Sequence, residues 1–135
     1  MKFLIFLFAF TSTAMAAPYS CKPTIVFAEQ SKMRASLFTF DYVTGSFFSE
    51  LRKVEFTTQG SSSPNEIGAE HTGFYNLTSF SGTKEFMEFR LGNPLDGDIT
   101  VVVSKENFED IKTLSLTQTL RGVTQRSLVM ECQSI

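Results

Sequence analysis

Residues 113–133, TLSLTQTLRGVTQRSLVMECQ, decide the fold of this chain. Leu114, Leu116, Gln118 and Leu120 alternate there with Ser115, Thr117, Thr119 and Arg121, and Leu128, Met130 and Cys132 alternate with Ser127 and Glu131, broken only at Val129. Successive side chains on a strand point to opposite faces, so a period of two predicts half-buried strands near 113–121 and 124–133. The second of these turns Cys132 toward the apolar face. Only one other cysteine exists, Cys21. Ile25 and Phe27 share its parity, so the first strand is expected to turn Cys21 toward its own apolar face, with Pro23 confining that stretch to a sheet edge or a bulge.

Two cysteines in an oxidising compartment pair more often than they stay free. A bond requires Cα atoms within about 7 Å, which would bring the first and last strands side by side or face to face across a core. In the chain-entropy treatment, closing a loop this long is worth about 4–5 kcal/mol.

The same period extends through the rest of the chain. Met87, Phe89 and Leu91 alternate with Glu88 and Arg90; Phe38, Phe40 and Tyr42 run into the Thr44-Gly45 turn signal; Val54, Phe56 and Thr58 end before Gly60; Ile99, Val101 and Val103 follow Asp96-Gly97. About eight strands are expected, near 19–28, 34–43, 47–58, 69–80, 84–91, 98–104, 113–121 and 124–133. Two segments are less regular. Phe47, Phe48, Leu51 and Val54 fit a helical stripe nearly as well as a strand, and the strand reading rests on the tail through Phe56, Thr57 and Thr58. Residues 105–112 have the form of one helical turn, capped by Asn107 with Asp110 three positions on and Phe108 and Ile111 on one face. The class is therefore all-β, a small antiparallel barrel or a two-sheet sandwich with one short helical turn. Of the 15 Phe residues, 11 follow the leader described next, and they favour a filled interior over a ligand chamber.

Lys2, the apolar run Phe3–Phe10 and the small-x-small Ala14-Met15-Ala16 have the form of an export signal. A run this short does not span a bilayer, which takes roughly 20 residues. Residues 1–16 are read as a removed signal peptide and 17–135 as a single β domain with no transmembrane segment, exported to the periplasm or outside. The single Lys and the Ala-Met-Ala site favour a bacterial origin. In a eukaryotic secretory pathway Asn76-Leu77-Thr78 would accept a glycan.

Loss of Lys2 takes the 12 basic residues to 11 against 14 acidic ones, a net charge of −3. Nucleic-acid binding needs a concentrated basic surface, and none is present. Catalytic groups are few. The only histidine, His71, follows Glu70, and adjacent strand residues face opposite ways, so the two make a poor dyad. No G-x-S-x-G elbow occurs. His71 is read as a surface or rim residue, and no catalytic or cofactor-binding residue is assigned. One histidine and two bonded cysteines do not make a zinc cage. Asn93, Asp96 and Asp98 offer oxygen ligands, but their spacing is not that of an EF-hand, and a tight turn accounts for them without an ion. No metal site is assigned.

The remaining functional signal is surface. Gln59 leads into Gly60, Ser61, Ser62, Ser63, Pro64 and Asn65, a stretch too polar to pack and suited to an exposed partner-contact loop. Gly68, Gly73 and Gly82 mark possible bulges or close backbone approaches. Tyr19-Ser20-Cys21 and a cysteine in the last strand loosely resemble the periplasmic inhibitors of C-type lysozyme, small eight-stranded barrels with a disulfide. That family's glycine after the first cysteine and its aromatic-rich signature are absent here, so the resemblance covers a tripeptide and a topology. It implies a body that works by pushing a loop into a partner protein. The expectation is a non-catalytic module that binds a protein or cell-surface partner. A carrier of a small apolar ligand is the second reading and a hydrolase a distant third.

Overall fold

The computed structural model describes residues 15–61 and 67–135. Eight strands follow one another around a closed antiparallel barrel: β1 (Met15–Glu29), β2 (Met33–Thr44), β3 (Ser49–Gly60), β4 (Ala69–Gly82), β5 (Phe86–Asn93), β6 (Gly97–Ser104), β7 (Thr113–Leu120) and β8 (Val123–Ser134). Of the two architectures left open by the sequence, the barrel is the one formed. Each strand pairs with its neighbours in sequence, and β1 closes on β8, so no edge is left unpaired. Residues 1–14 of the expected leader lie outside the described residues, while Met15 and Ala16 begin β1 opposite Thr44 and Val43.

Parity places the core where the alternation says it should be. Phe38, Phe40, Tyr42, Phe56, Met87, Phe89, Leu91, Ile99, Val101, Val103, Leu114, Leu116, Leu128 and Met130 all point inward and are buried. Their rings and branches fill the barrel, with Phe38 against Phe40 and Phe56, and Tyr42 edge-on to Phe89. Cys21 and Cys132 are direct register partners in the β1–β8 ladder and are disulfide-bonded across a separation of 111 residues.

Two expectations need correction, and a third segment holds with a local irregularity. Ile25 and Phe27 are not on the inner face. The ladder shifts between Pro23 and Ile25 and again between Val26 and Ala28, so the parity set by Cys21 is lost beyond the proline and Ile25, Val26 and Phe27 are exposed. The segment read as strand over 47–58 is strand from Ser49 onward, and its helix-like stripe comes from a bulge. Between Thr39↔Glu55 and Asp41↔Arg52 one extra residue sits in β3, and Lys53 takes a left-handed φ of 51°, which lets Leu51 and Val54, three apart, both face the core. Phe47 and Phe48 lie in the preceding turn and are exposed. The helical turn is shorter than expected, a 3-10 turn over Lys105–Asn107, and its cap is Ser104 rather than Asn107: the Ser104 hydroxyl accepts from the Glu106 amide at 3.4 Å.

The two mouths of the barrel are closed differently. At the end where β1 begins, Phe108 packs beside Tyr42, Ile111 is buried, and the Ile111 amide donates to the Tyr19 hydroxyl at 3.3 Å. At the other end, where β1 finishes and β8 starts, the plug is polar. Replacing both Cys21 and Cys132 by alanine is expected to lower unfolding stability by about 2–5 kcal/mol, read as a drop in the urea midpoint under oxidising conditions; an unchanged midpoint would show that the barrel closes without the bond.

Candidate functional site

The polar plug begins with one cross-strand row. Gln118 on β7 is the register partner of Arg126 on β8, and Arg126 is the partner of Glu29 on β1. Parity with Leu116 and Leu128 turns Gln118 and Arg126 inward, and both are buried, at 6% and 3% exposure. A guanidinium in such a place must be paired and hydrogen-bonded, because an unpaired buried charge costs several kcal/mol. Its Nε donates to Glu29 Oε2 at 3.1 Å, Nη2 to the Met33 carbonyl at 2.6 Å and Nη1 to Gln118 Oε1, while its plane lies 5.5 Å from the centre of the Phe56 ring. Glu29 Oε2 also accepts from the Ala35 amide at 3.0 Å. The charge is thus held by three strands and the start of a fourth.

Donor and acceptor identities then fix everything stacked on that row. Arginine can only donate, so the Gln118 oxygen faces Arg126 and its Nε2 points away. That nitrogen donates to the Asp96 carbonyl at 3.0 Å and to the Tyr75 hydroxyl at 3.1 Å. Tyr75 therefore accepts from Gln118, and among the described residues no acceptor faces its own hydroxyl hydrogen. The residue is 4% exposed, and burial, reinforced by the negative charge of Asp96, pushes its phenol well above the usual tyrosine range.

Asp96 is brought over the barrel mouth by two close backbone approaches. Gly97, at φ 88°, sits where a Cβ would strike the Thr119 carbonyl, so the β5–β6 turn presses directly on β7. Gly73, on β4, leaves the space that the Asp96 carboxylate fills, and a Cβ there would strike Asp96 Oδ2. The turn itself is tied by Asn93, whose Oδ1 accepts from the Leu95 and Asp96 amides at 2.8 and 3.1 Å and whose Nδ2 donates to the Phe74 carbonyl. The oxygen of Asn93 is thus spent on turn geometry, and no group of three His, Cys, Asp or Glu side chains suited to a metal occurs among the described residues.

His71 stands at the rim, opposite Thr58 in the β3–β4 ladder, and its Nε2 is 2.9 Å from Asp96 Oδ2. A carboxylate accepts, so Nε2 carries the proton and neutral His71 keeps Nδ1 as an acceptor. Glu70, its neighbour in sequence, points away and accepts from Gln59 instead. No serine, threonine or cysteine among the described residues hydrogen-bonds the imidazole. Between these groups lies an open cavity of about 200 Å³, with Ser31, Thr58, His71, Tyr75, Asp96, Gln118, Gln125 and Arg126 contributing its polar lining and Met33, Phe56, Leu95 and Leu120 its apolar lining. A wider depression of about 470 Å³ at the opposite mouth is bounded by Ala16, Ala17, Tyr19, Tyr42 and Phe108, where the Tyr42 hydroxyl donates to Ser49 Oγ at 3.2 Å.

No protein family, curated protein or solved structure matches the chain.

The expected contact loop opens at this same mouth. Gly60 closes β3 opposite Met33 and Ala69, and Ser61 follows it; Ser62, Ser63, Pro64 and Asn65 lie outside the described residues. The sequence reading did not single out Arg126, Gln118 as a bridge, or Tyr75. The signal for the first two was present, since both share the parity of buried leucines. Arg126→Met alone is expected to cost about 3–5 kcal/mol by leaving Glu29 buried and unpaired, whereas Arg126→Met with Glu29→Met should recover most of that loss; denaturant unfolding of the three proteins measures it.

Proposed function

We propose that this chain is an exported, non-catalytic binding module that engages a protein or cell-surface partner with the barrel end carrying the Arg126 plug. The observation that carries the reading is the combination, at that end, of a rigid polar floor with apolar side chains left in solvent: Ile67 in the β3–β4 connection is 99% exposed and Leu95 in the β5–β6 turn 83%. Solvated aliphatic side chains around a concave, pre-formed polar centre are the arrangement of an interface core awaiting its partner. Connections between strands converge there from β1–β2, β3–β4, β5–β6 and β7–β8, each anchored by a barrel that cannot slide.

The other two readings draw less support. A carrier of an apolar molecule needs an apolar chamber inside the barrel, and Phe38, Phe89, Leu91, Leu116 and Met130 occupy that space. A hydrolase needs a nucleophile on its histidine, and the ring nitrogen of His71 that makes a hydrogen bond makes it to Asp96. Export is supported by the Cys21–Cys132 bond, since such bonds persist in oxidising compartments. No helix among the described residues is long and apolar enough to cross a membrane.

The test is comparative capture from the envelope and medium of the producing cell, with the protein immobilised and bound material identified by mass spectrometry. Wild type and Glu109→Lys, altered at the opposite mouth, should retain the same partner. Leu95→Asp and Ile67→Asp should each lose it by at least about tenfold, the scale of a central interface residue. Retention by both aspartate variants would place the contact elsewhere on the barrel.

A further inference from the structure

We infer that the cavity over the Arg126 row is built to receive an uncharged primary amide, and that on the reading of this end as a docking face its occupant is the side chain of a partner's asparagine or glutamine. The argument is one of hydrogen-bond valence. Arg126 spends donors on Glu29, Gln118 and the Met33 carbonyl, and Gln118 spends its oxygen on Arg126 and both amide hydrogens on Tyr75 and Asp96. What remains is the hydrogen of the buried Tyr75 hydroxyl, together with two of the five guanidinium N–H of Arg126, none of them with an acceptor among the described residues. The Tyr75 hydroxyl already accepts from Gln118, and the match for its hydrogen at 4% exposure is an oxygen placed in the cavity.

Acceptors line the cavity beside these donors. The Gln118 nitrogen ties Tyr75 to the Asp96 backbone within hydrogen-bond distance of one atom, so the Asp96 turn and the Tyr75 hydroxyl adjoin. Asp96, His71 bonded to it through Nε2, and Thr58, whose hydroxyl can donate or accept, line the same space. A ligand that completes the site must present an oxygen to Tyr75 and an N–H to the Asp96 side, close together and in a plane. A carboxamide does this.

Charge excludes the isosteres. A carboxylate would offer the oxygen but bring a second negative charge beside Asp96, with Asp98 also close enough to act on Tyr75, and the Arg126 charge is already paired with Glu29. An ammonium would find acceptors but has no oxygen for Tyr75 and would sit over the Arg126 guanidinium. About 200 Å³ suits a side chain of this size and excludes a large ring system.

The probe is propionamide, which is the glutamine side chain from its β-carbon outward, titrated into the full-length oxidised protein and followed by amide-resolved NMR, with propionate and n-propylammonium as charged controls. Saturable shifts confined to Thr58, His71, Tyr75, Asp96 and Gln118 with propionamide, and none with either control, are expected. Tyr75→Phe should weaken propionamide by about three- to tenfold, the value of one hydrogen bond. Gly73→Ala, whose Cβ displaces the Asp96 carboxylate and presses on the edge of the Tyr75 ring, should weaken it too and carries the test if Tyr75→Phe does not fold. Equal binding of propionate or propylammonium would overturn the amide assignment, and an unresponsive cavity would mean that water alone meets Tyr75. An unresponsive cavity with capture of a partner intact removes this inference and leaves the docking face standing; propionamide binding with no loss of capture in Leu95→Asp does the reverse.

Discussion

The seam between β1 and β8 is the constraint on which the rest of this molecule depends. Seven of the eight strand pairings join neighbours in sequence, and each can form around a local turn; the eighth joins the two ends of the described chain and has to be made against the full loop-closure entropy. Two cross-strand pairs pin it at opposite ends of the barrel, the Cys21–Cys132 bond near one mouth and the Glu29–Arg126 ion pair near the other. The covalent pair acts on the unfolded chain by removing conformations. The ion pair acts on the folded one, by demanding register: a slip of one residue would turn Arg126 out and leave Glu29 buried alone.

That demand explains why a barrel with so apolar an interior keeps a charge at one end. Buried ion pairs seldom stabilise more than a packed apolar substitute would, so the Arg126 row is better understood through what it organises than through its net energy. From it, rigid hydrogen bonds run to β2 through the Met33 carbonyl, to β7 and the β5–β6 turn through Gln118, and to β4 through Tyr75. Connections that would otherwise be free to drift are referenced to one fixed guanidinium. A mouth held this way is pre-organised, and pre-organisation lowers the ordering cost that a partner would meet on binding.

The two mouths show how the same barrel serves different chemistries at its ends. One is covered by the segment through Phe108 and Ile111 after the 3-10 turn, an apolar lid in which Tyr19 and Tyr42 turn their hydroxyls to local partners. The other is open among the described residues. Its floor is a hydrogen-bonded row, its rim carries His71 on Asp96, and Leu95 and Ile67 stand in water beside it.

Much of this was legible in the chain itself, because a strand's period of two needs no knowledge of the partner strand. Leu114 through Gln118, Met87 through Leu91 and Leu128 through Cys132 identified their inner faces by alternation alone, and with them the core and the half of the disulfide at Cys132. Alternation fails wherever a residue is inserted. Pro23 signalled an edge or a bulge without giving the register beyond it, so Ile25 and Phe27 were assigned inward, and the bulge at Lys53 left Leu51 and Val54 fitting a helical stripe nearly as well as the strand they form. The candidate site lay beyond reach for a different reason. His71 and Asp96 are 25 residues apart, Tyr75 and Gln118 are 43 apart, and Glu29 and Arg126 are 97 apart. Parity could say that each of the buried ones faces inward, since that is a local property of backbone geometry; only closure of the barrel decides which of them meet, because contact across a sheet depends on register summed around all of its strands.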